Sequence, residues 1–533
     1  MAKITILEKD LTKASFQASP TDIAYVPGLS IKEDATKDPL LCKSVVDFEK
    51  EFGTMPEILN DSYVTWNSES FRVNFNAVAF KQEHKHDIKY YYTTTDGWYF
   101  IDDNGEKQYT SARSLRRIGI SIHEIDIHNP FKNGDWIEVH LVYDLSYIYA
   151  KELIQSGIPV VYQVIELETA DDLNIYTISQ ILKSSYYDYT VKDGIMDRGE
   201  YSIKYLTSGG YPSFLYSYDN ETFNFGEGFA SKMLTMAGKR GDFIALIDAN
   251  KDSCGAIISS YTDEFGNIYT DENNNPFVNS SSSGLLGSGS LWDAAKAFGD
   301  SADYLDYGAM FTPWFYYNTQ ASYYSNDGHI INQLSKVIMP PSFAYLITLA
   351  KSIRTSGNWQ AIAGVARGGV PYFEKLYTKE RLSNNVAEQM QPRNGKTSVN
   401  AITNIKPYGY LIWGNRTMKN NENAASGGID GLTATSFLNI RNMVSDIKKT
   451  AYNAAKQCIF EQNSDVLWVN FCSLITPLLD RLVSGQGLSN YKIIKQSTKE
   501  KAKLKATIII YPIYAVEEFE ITIELSDKDV SVI

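Results

Sequence analysis

Cysteine is scarce in this chain of 533 residues: Cys42, Cys254, Cys458 and Cys472 are scattered, with no CxxC pair. That spacing gives no sign of a disulfide framework, and Cys458 and Cys472, set in apolar helical stretches, read as small buried hydrophobes. Positive charge is also short. Against 63 Asp and Glu stand 50 Lys and Arg, a net charge of −13, which removes any general attraction for nucleic acid or an anionic membrane. Long hydrophobic runs are missing too. The start, MAKITILEKDLTK, lacks the apolar stretch of a signal peptide. Ile508 to Val516 is short and interrupted by Pro512, so no membrane insertion is expected. The chain is expected to fold in a cytoplasm.

Local signatures of catalysis are absent as well. No GxSxG elbow, HExxH pair or Walker-type lysine occurs. Gly284 to Gly289 resembles a dinucleotide loop superficially, but a Ser-rich stretch precedes it where a phosphate-binding turn needs a strand. His84 and His86 sit two apart, with His123, His128 and His140 nearby. A zinc site there is conceivable, but the turn-rich setting reads as solvated strand histidines. No metal, no cofactor and no enzymatic activity are expected.

What the sequence has is apolar and aromatic surface. Hydrophobic residues make up 44% and aromatics 13%, with 37 Tyr. Tyrosine at that level favours half-wet contact surfaces, because the ring packs while the hydroxyl stays hydrogen-bonded. The length calls for about two to four domains.

Along the chain, Ile4 and Ile6 alternate in an otherwise polar start. TDIAYVPGLS (21–30) reads as a strand closed by a Pro–Gly turn, and Val45 to Phe52 as a helix stopped by Gly53. From about Trp66 to Tyr143, short alternating segments are separated by turns at Asn104–Gly105 and Asn133–Gly134, the texture of a β-rich insertion. A helix from Leu145, the strand Pro159–Val164, and the helix–Gly–strand unit FASKMLTMAGKRGDFIALID (229–248) then restore an α/β rhythm. Residues 271–290 are a low-complexity linker or loop. A helix is predicted from Ser342, after Pro340–Pro341, to Gly357. Phe437, Ile440, Val444, Ile447, Ala451, Ala454 and Cys458 form one stripe along a long helix. Leu467, Phe471, Leu474, Leu478 and Leu482 form a second, with Pro477 as a kink.

Near the end, Phe519, Ile521, Ile523 and Leu525 alternate with Glu518, Glu520, Thr522 and Glu524. Taken alone, such a strand closes its own domain, with glutamates blocking edge aggregation. It also suits donation to a neighbour's sheet. Burying the four apolar side chains would contribute about 6–12 kcal/mol gross, largely offset by ordering about ten residues. One joint is marginal; a lattice of them is strong. The preceding stretch 492–505 is basic, with Lys492, Lys495, Lys499, Lys501, Lys503 and Lys505. It reads either as a solvated linker or as an electrostatic surface towards an acidic partner.

Taken together, several blocks resemble the contractile-tail sheath proteins of myophages and of phage-like contractile injection systems. They are TDIAYVPGLS with CKSVVDFEKEFG, YSIKYLTSGGYP with GDFIALID, and YGAMFTPWFYYN with MPPSFAYLITLAKSIRTSGNWQAIAG. The most specific is LSNNVAEQMQPRNGKTSVNAITNIKPYGYLIWGNRTM, leading into FLNIRNMVSDIKKTAYNAAKQCIFEQNSDVLWVNF. The resemblance covers roughly 21–65 and 144–525 and carries nothing onto the insertion between them.

The resemblance implies an α/β multi-domain protein, with a discontinuous α/β core, a β-rich inserted domain and extended N- and C-terminal β-arms. Its expected division is an N-terminal arm (1–20), core (21–65), inserted outer domain (66–143), core and middle region (144–270), linker (271–290), core (291–495) and C-terminal strands and arm (496–533). Ile4, Ile6, Phe519, Ile521, Ile523 and Leu525 would lie on inter-subunit strands, and the lysines of 492–505 would face the tube or a sibling subunit. The implied function is structural: a subunit that polymerises helically around an inner tube and contracts to drive it through a host envelope. The implied partners are further copies of the chain, the inner tube protein, and baseplate, terminator and neck proteins, with no nucleic acid. The implied location is the virion tail, after assembly in the host cytoplasm. The alternative is another tail or baseplate protein, or an adhesin whose β-domain binds a glycan.

Overall fold

The computed structural model describes residues 22–67, 69–73, 89–102, 105–111, 114–115, 131–169, 173–190, 193–219, 222–226, 228–251, 290–324, 328–377, 382, 384–392, 397–419, 432–499 and 502–517. At its centre is an eight-stranded sheet. Its strands are β1 (Ala24–Gly28), β2 (Leu40–Cys42), β3 (Val160–Val164), β4 (Tyr205–Leu206), β5 (Ile244–Asp248), β6 (Gly308–Thr312), β7 (Val399–Ile405) and β8 (Gly409–Trp413). They lie in the order β8-β7-β6-β5-β4-β1-β3-β2. The inner strands run parallel, and β8 and β2 close the edges antiparallel. A parallel sheet is covered on both faces, so its strands read as continuous apolar runs; Ile244 to Ile247 are fully buried.

The longer helices around this sheet and its extension are α1 (Val45–Phe52), α2 (Leu145–Ser156), α3 (Ala230–Arg240), α4 (Leu291–Ser301), α5 (Pro341–Thr355), α6 (Leu438–Cys458) and α7 (Asp465–Ser484). One face of the sheet packs Phe48, Leu153, Phe343 and Leu346 from α1, α2 and α5. The other packs Met233, Leu234, Ala237 and Phe298 from α3 and α4. The helix ends follow from capping chemistry. Ser44 Oγ accepts from Asp47 N at the start of α1, and Asp144 accepts from Ser146 N and Tyr147 N at the start of α2. Gly157 ends α2 in the left-handed conformation. Helix α5 begins at Pro341, one residue earlier than predicted, because proline suits the first helical position. It ends at Thr355, and Gly357 beyond it has φ +89° with the Trp359 ring 2.6 Å from where a Cβ would stand.

A second, six-stranded antiparallel sheet leaves the chain after α1 and returns it at α2. It comprises Tyr63–Trp66, Glu69–Val73, Lys89–Thr93, Gly97–Ile101, Lys107–Thr110 and Trp136–His140. Its own small core holds Val64, Tyr90, Trp98, Leu115, Ile137 and Val139.

At the C-terminal end, α6 and α7 pack along Ile440, Ile447, Phe471, Ile475 and Leu479. Helix α7 runs through Pro477 as one element. By length and composition it would also suit a membrane span, and here it lays one face on α6 and on a hairpin of β9 (Leu488–Gln496) and β10 (Lys505–Pro512). Two readings from sequence change. The first half of α6 is buried on all sides, including Asn442, Ser445, Asp446 and Lys449, so the apolar stripe marks only one of its two packed faces. Cys458 and Cys472 are half-exposed at the flank of the α6–α7 seam, unlike the buried Cys42.

Candidate arm-anchoring site

The residues expected to enter strand exchange, Ile4, Ile6, Phe519, Ile521, Ile523 and Leu525, lie outside the described residues, as do His84, His86, His123, His128 and the glycine stretch 284–289. Of the histidine group, His140 is described: its Nε2 lies 2.9 Å from Thr65 Oγ1 and its ring stacks on Tyr63. Burial lowers its pKa and Glu138 opposes that. Among the described residues no cluster of His, Cys, Asp and Glu is arranged to hold a metal ion. Where β5 ends, Asp248 accepts from Ser342 N and Ser342 Oγ, with Tyr149 OH 3.0 Å from the same Oγ. All three residues are fully buried, so this Ser–Asp pair stitches a strand to a helix start. Burial lifts the Asp248 pKa to about 7.

The structure does build a site where each terminal segment joins the described fold. The C-terminal one is formed by Trp413-Gly414-Asn415-Arg416-Thr417, which starts at the last residue of β8. A Cβ on Gly414 would fall 2.0 Å from Gln391 Nε2 and 2.7 Å from Asn400 Oδ1, so any larger residue would have to displace these two side-chain amides. Asn400 on β7 reads the Arg416 backbone both ways, donating to its carbonyl and accepting from its N–H, each at 2.8 Å. This fixes the Arg416 guanidinium, 4.6 Å above the Phe437 ring. Arg416 Nε donates to Glu517 Oε1 at 3.0 Å and Nη2 donates to Oε2. The Arg416 side chain is only 2% exposed, which makes the fork-to-carboxylate pair a strong one. Tyr514 packs edge-on against the same Phe437 ring at 5.2 Å. The last described residues, 513–517, also border a cavity of about 810 Å³ with Trp359, Arg367 and Trp413.

The N-terminal counterpart centres on Asp22, the first described residue. Lys204 Nζ, wholly buried, donates to Asp22 Oδ1 at 3.0 Å and to Asp446 Oδ1 on α6 at 2.9 Å. Asn358 Nδ2 donates to both Asp22 oxygens and to Asp446 Oδ2. Tyr205 OH adds a bond to Asp22 Oδ1 and another to Asn442 Oδ1. Burial opposes the Lys204 charge, yet the two carboxylates outweigh it and its pKa lies above the ordinary value. The carboxylates shift oppositely although they share one lysine. Burial raises Asp446, whereas at Asp22 burial is outweighed by the Lys204 charge and the Asn358 bonds, which hold the carboxyl below its ordinary value. Nearby, burial pushes Lys449 down to about 7, with its ammonium donating to the Ser202 and Ile203 carbonyls.

The chain reaches the C-terminal anchor through the β9–β10 hairpin. Its register pairs Lys492 with Ile509, Ile493 with Ile508 and Gln496 with Lys505. Lys492 to Gln496 therefore form a strand, which corrects the linker reading of that stretch. Tyr491, Ile493, Ala506, Ile508 and Ile510 face α7. Alternation puts Lys492, Ile494, Lys505, Thr507 and Ile509 on the opposite face. Lys495 is on the helix side, 2.9 Å from Asp465 Oδ1. Lys499 and Lys503 flank the exposed turn, and Lys501 lies outside the described residues. Among the described residues the hairpin pairs only with itself.

No family model and no curated protein matches this sequence. Solved structures do. A chain of the anti-feeding prophage (AFP) baseplate in the contracted state is similar with a TM-score of 0.50 at 13% identity, covering 99% of this chain and 98% of that one. A chain of the contracted AFP helical sheath is similar at 0.43 and 13%, covering 99% of each. A chain of the contracted PVC sheath complex, an extracellular contractile injection system, gives 0.44 and 12%, covering 99% and 98%. The fold is thus one found in contractile particles. At 13% identity the likeness is one of fold: the chain shares the architecture of a chain in the contracted AFP baseplate, which agrees with the fold the sequence resemblance implied.

Proposed function

We propose that the chain is the structural subunit of a contractile sheath, polymerising helically around an inner tube and contracting to drive it forward. The observation that carries this is the two-stranded β9–β10 hairpin, which has both edges unpaired among the described residues and one face already packed on α7. A lone hairpin of this kind is marginal in water, and its edges present a row of N–H and C=O groups that accept further strands. The alternating segment Phe519–Leu525 of another copy has the pattern to fill such an edge, with Ile4 and Ile6 as the N-terminal equivalent. Lys492 and Lys505 on the free face, with Lys499 and Lys503 flanking the turn, complement that segment's glutamates or an acidic tube surface. Work then comes from inter-subunit contacts made on contraction, as cores rotate as rigid bodies on their arms. No nucleotide, cofactor or active site is required. Baseplate and neck proteins would end the lattice, and the inserted six-stranded sheet would decorate its outside.

Electron microscopy of the concentrated full-length chain tests this directly. The expected result is tubes, rings or stacked helical fragments, lost on deletion of residues 518–533 while the circular dichroism spectrum and melting of the core persist. A strictly monomeric full-length protein at high concentration contradicts the reading. A second reading, a baseplate subunit, draws support from the matched AFP chain, which comes from a baseplate structure. It predicts closed rings that never extend into tubes.

A further inference from the structure

The two anchors are joined inside the subunit. From the N-terminal anchor, Asn358 leads through one peptide bond to Trp359, whose carbonyl accepts from Asn439 Nδ2 at 3.1 Å. Asn439 Oδ1 accepts from Asn415 Nδ2 at 2.8 Å, and Asn415 Oδ1 accepts in return from Asn439 N at 3.3 Å. The residue after Asn415 is Arg416, which holds Glu517. Asp22 and Glu517, 495 positions apart in sequence, are therefore linked by a continuous relay: Asp22–Asn358–Trp359–Asn439–Asn415–Arg416–Glu517. Asn358, Asn439 and Asn415 are 8%, 6% and 6% exposed, so each link is largely shielded by protein, although the relay borders the cavity beside Trp359. A second path runs beside it. Asp446 of one anchor and Phe437 of the other bracket the first half of α6, about 13 Å apart at 1.5 Å per residue. Asn439, the central link of the relay, sits in the first turn of the same helix.

We infer that Asn358, Asn439 and Asn415 are positioning residues that couple the two arm roots, so that displacing one terminal segment changes how firmly the other is held. This deepens the sheath reading and rests on it for its mechanical meaning: a pull on one arm would pass across the core to the other without bending the sheet. The SGNWQ block, a sequence motif with no catalytic chemistry, then has a mechanical role. Asn358 grips the N-terminal root, while Trp359 donates its indole N–H to Gly485 O, just before β9.

Double-mutant cycles test the coupling, because shared spatial position alone proves none. The unfolding equilibrium of the full-length monomer would be measured for Asp22→Asn, Glu517→Gln and both together. Uncoupled sites this far apart combine multiplicatively; the relay predicts a departure of about fivefold or more from the product. In an Asn439→Ala background the departure should vanish. Trp359→Phe, which keeps the carbonyl that Asn439 uses, should preserve it. Multiplicative effects in the parent chain, or coupling that survives Asn439→Ala, would overturn the inference. Repeating the cycle on the critical concentration for polymerisation separates the two ideas. A chain that shows the coupling yet never polymerises sinks the sheath reading alone, and one that polymerises with independent arms sinks the relay alone.

Discussion

The eight-stranded sheet and the β9–β10 hairpin use one backbone chemistry to opposite ends. In the sheet, both faces are covered by helices, and each edge is a short antiparallel strand. The β8 edge is further closed by the loop at Gly368–Val370, which exchanges backbone bonds with Tyr410 and Ile412. The hairpin packs one face and leaves the other, with Ile494 and Tyr511 substantially exposed, facing outward. A closed sheet is self-sufficient, whereas a half-covered hairpin with both edges unpaired among the described residues is the less stable arrangement. The molecule thus combines a part that is closed on itself with a part whose edges and outer face are left open among the described residues.

That contrast can be attacked at five points, from the largest expected effect to the smallest. Lys204→Met leaves Asp22 and Asp446 buried without their shared cation and should cost about 3–5 kcal/mol in chemical denaturation. A loss under 1 kcal/mol would mean the N-terminal anchor carries little load. Glu517→Gln strips the charge from the partner of a buried Arg416 and should cost about 1–3 kcal/mol, less than Lys204→Met because Glu517 keeps partial contact with solvent. Ile509→Ala, on the free face of the hairpin, should change monomer stability by only about 0.5 kcal/mol while weakening polymerisation severalfold. Equal damage to both would show that the free face already serves the monomer.

The fourth point concerns pH. Lys449 titrates at about 7 in the fold against an ordinary 10.5, so between these values the unfolded chain binds the extra proton. Stability from this group therefore rises with pH across roughly 7 to 10, and Lys449→Met should flatten that rise in thermal scans. An unchanged profile would remove Lys449 as its source. The fifth is Lys495→Ala, which breaks an exposed pair with Asp465 and should leave the melting temperature unmoved.

Much of the closed part was legible. Gly53 after α1, Pro340–Pro341 before α5 and the apolar run of β5 are local signals, each acting within a few residues, whereas the Ser44 cap of α1 was not read. The anchors were not. Lys204 reads in sequence as one polar position of an alternating strand, and nothing near it announces that Asp22 and Asp446 will converge on its ammonium. Arg416 lay inside the WGNRT block that carried the family resemblance, but its partner stands 101 residues away. The polar face of α6 was hidden because Asn442, Asp446 and Lys449 look like a solvated helix face until β4 and the Asn358 loop cover them. The hairpin was half seen: β10 is an apolar run, while the lysines of β9 resemble a linker until Ile493 and Tyr491 are found packed on α7.

The most direct measurement places a photo-crosslinkable residue at Ile521 and mixes light- and heavy-isotope chains in equal amounts before assembly. The account predicts adducts to residues 488–496 or 505–512 in which about half the pairs are of mixed label, as random neighbours require for strands donated between subunits. Adducts confined to like-labelled pairs would show the segment folding back on its own chain, and the lattice mechanism would fall.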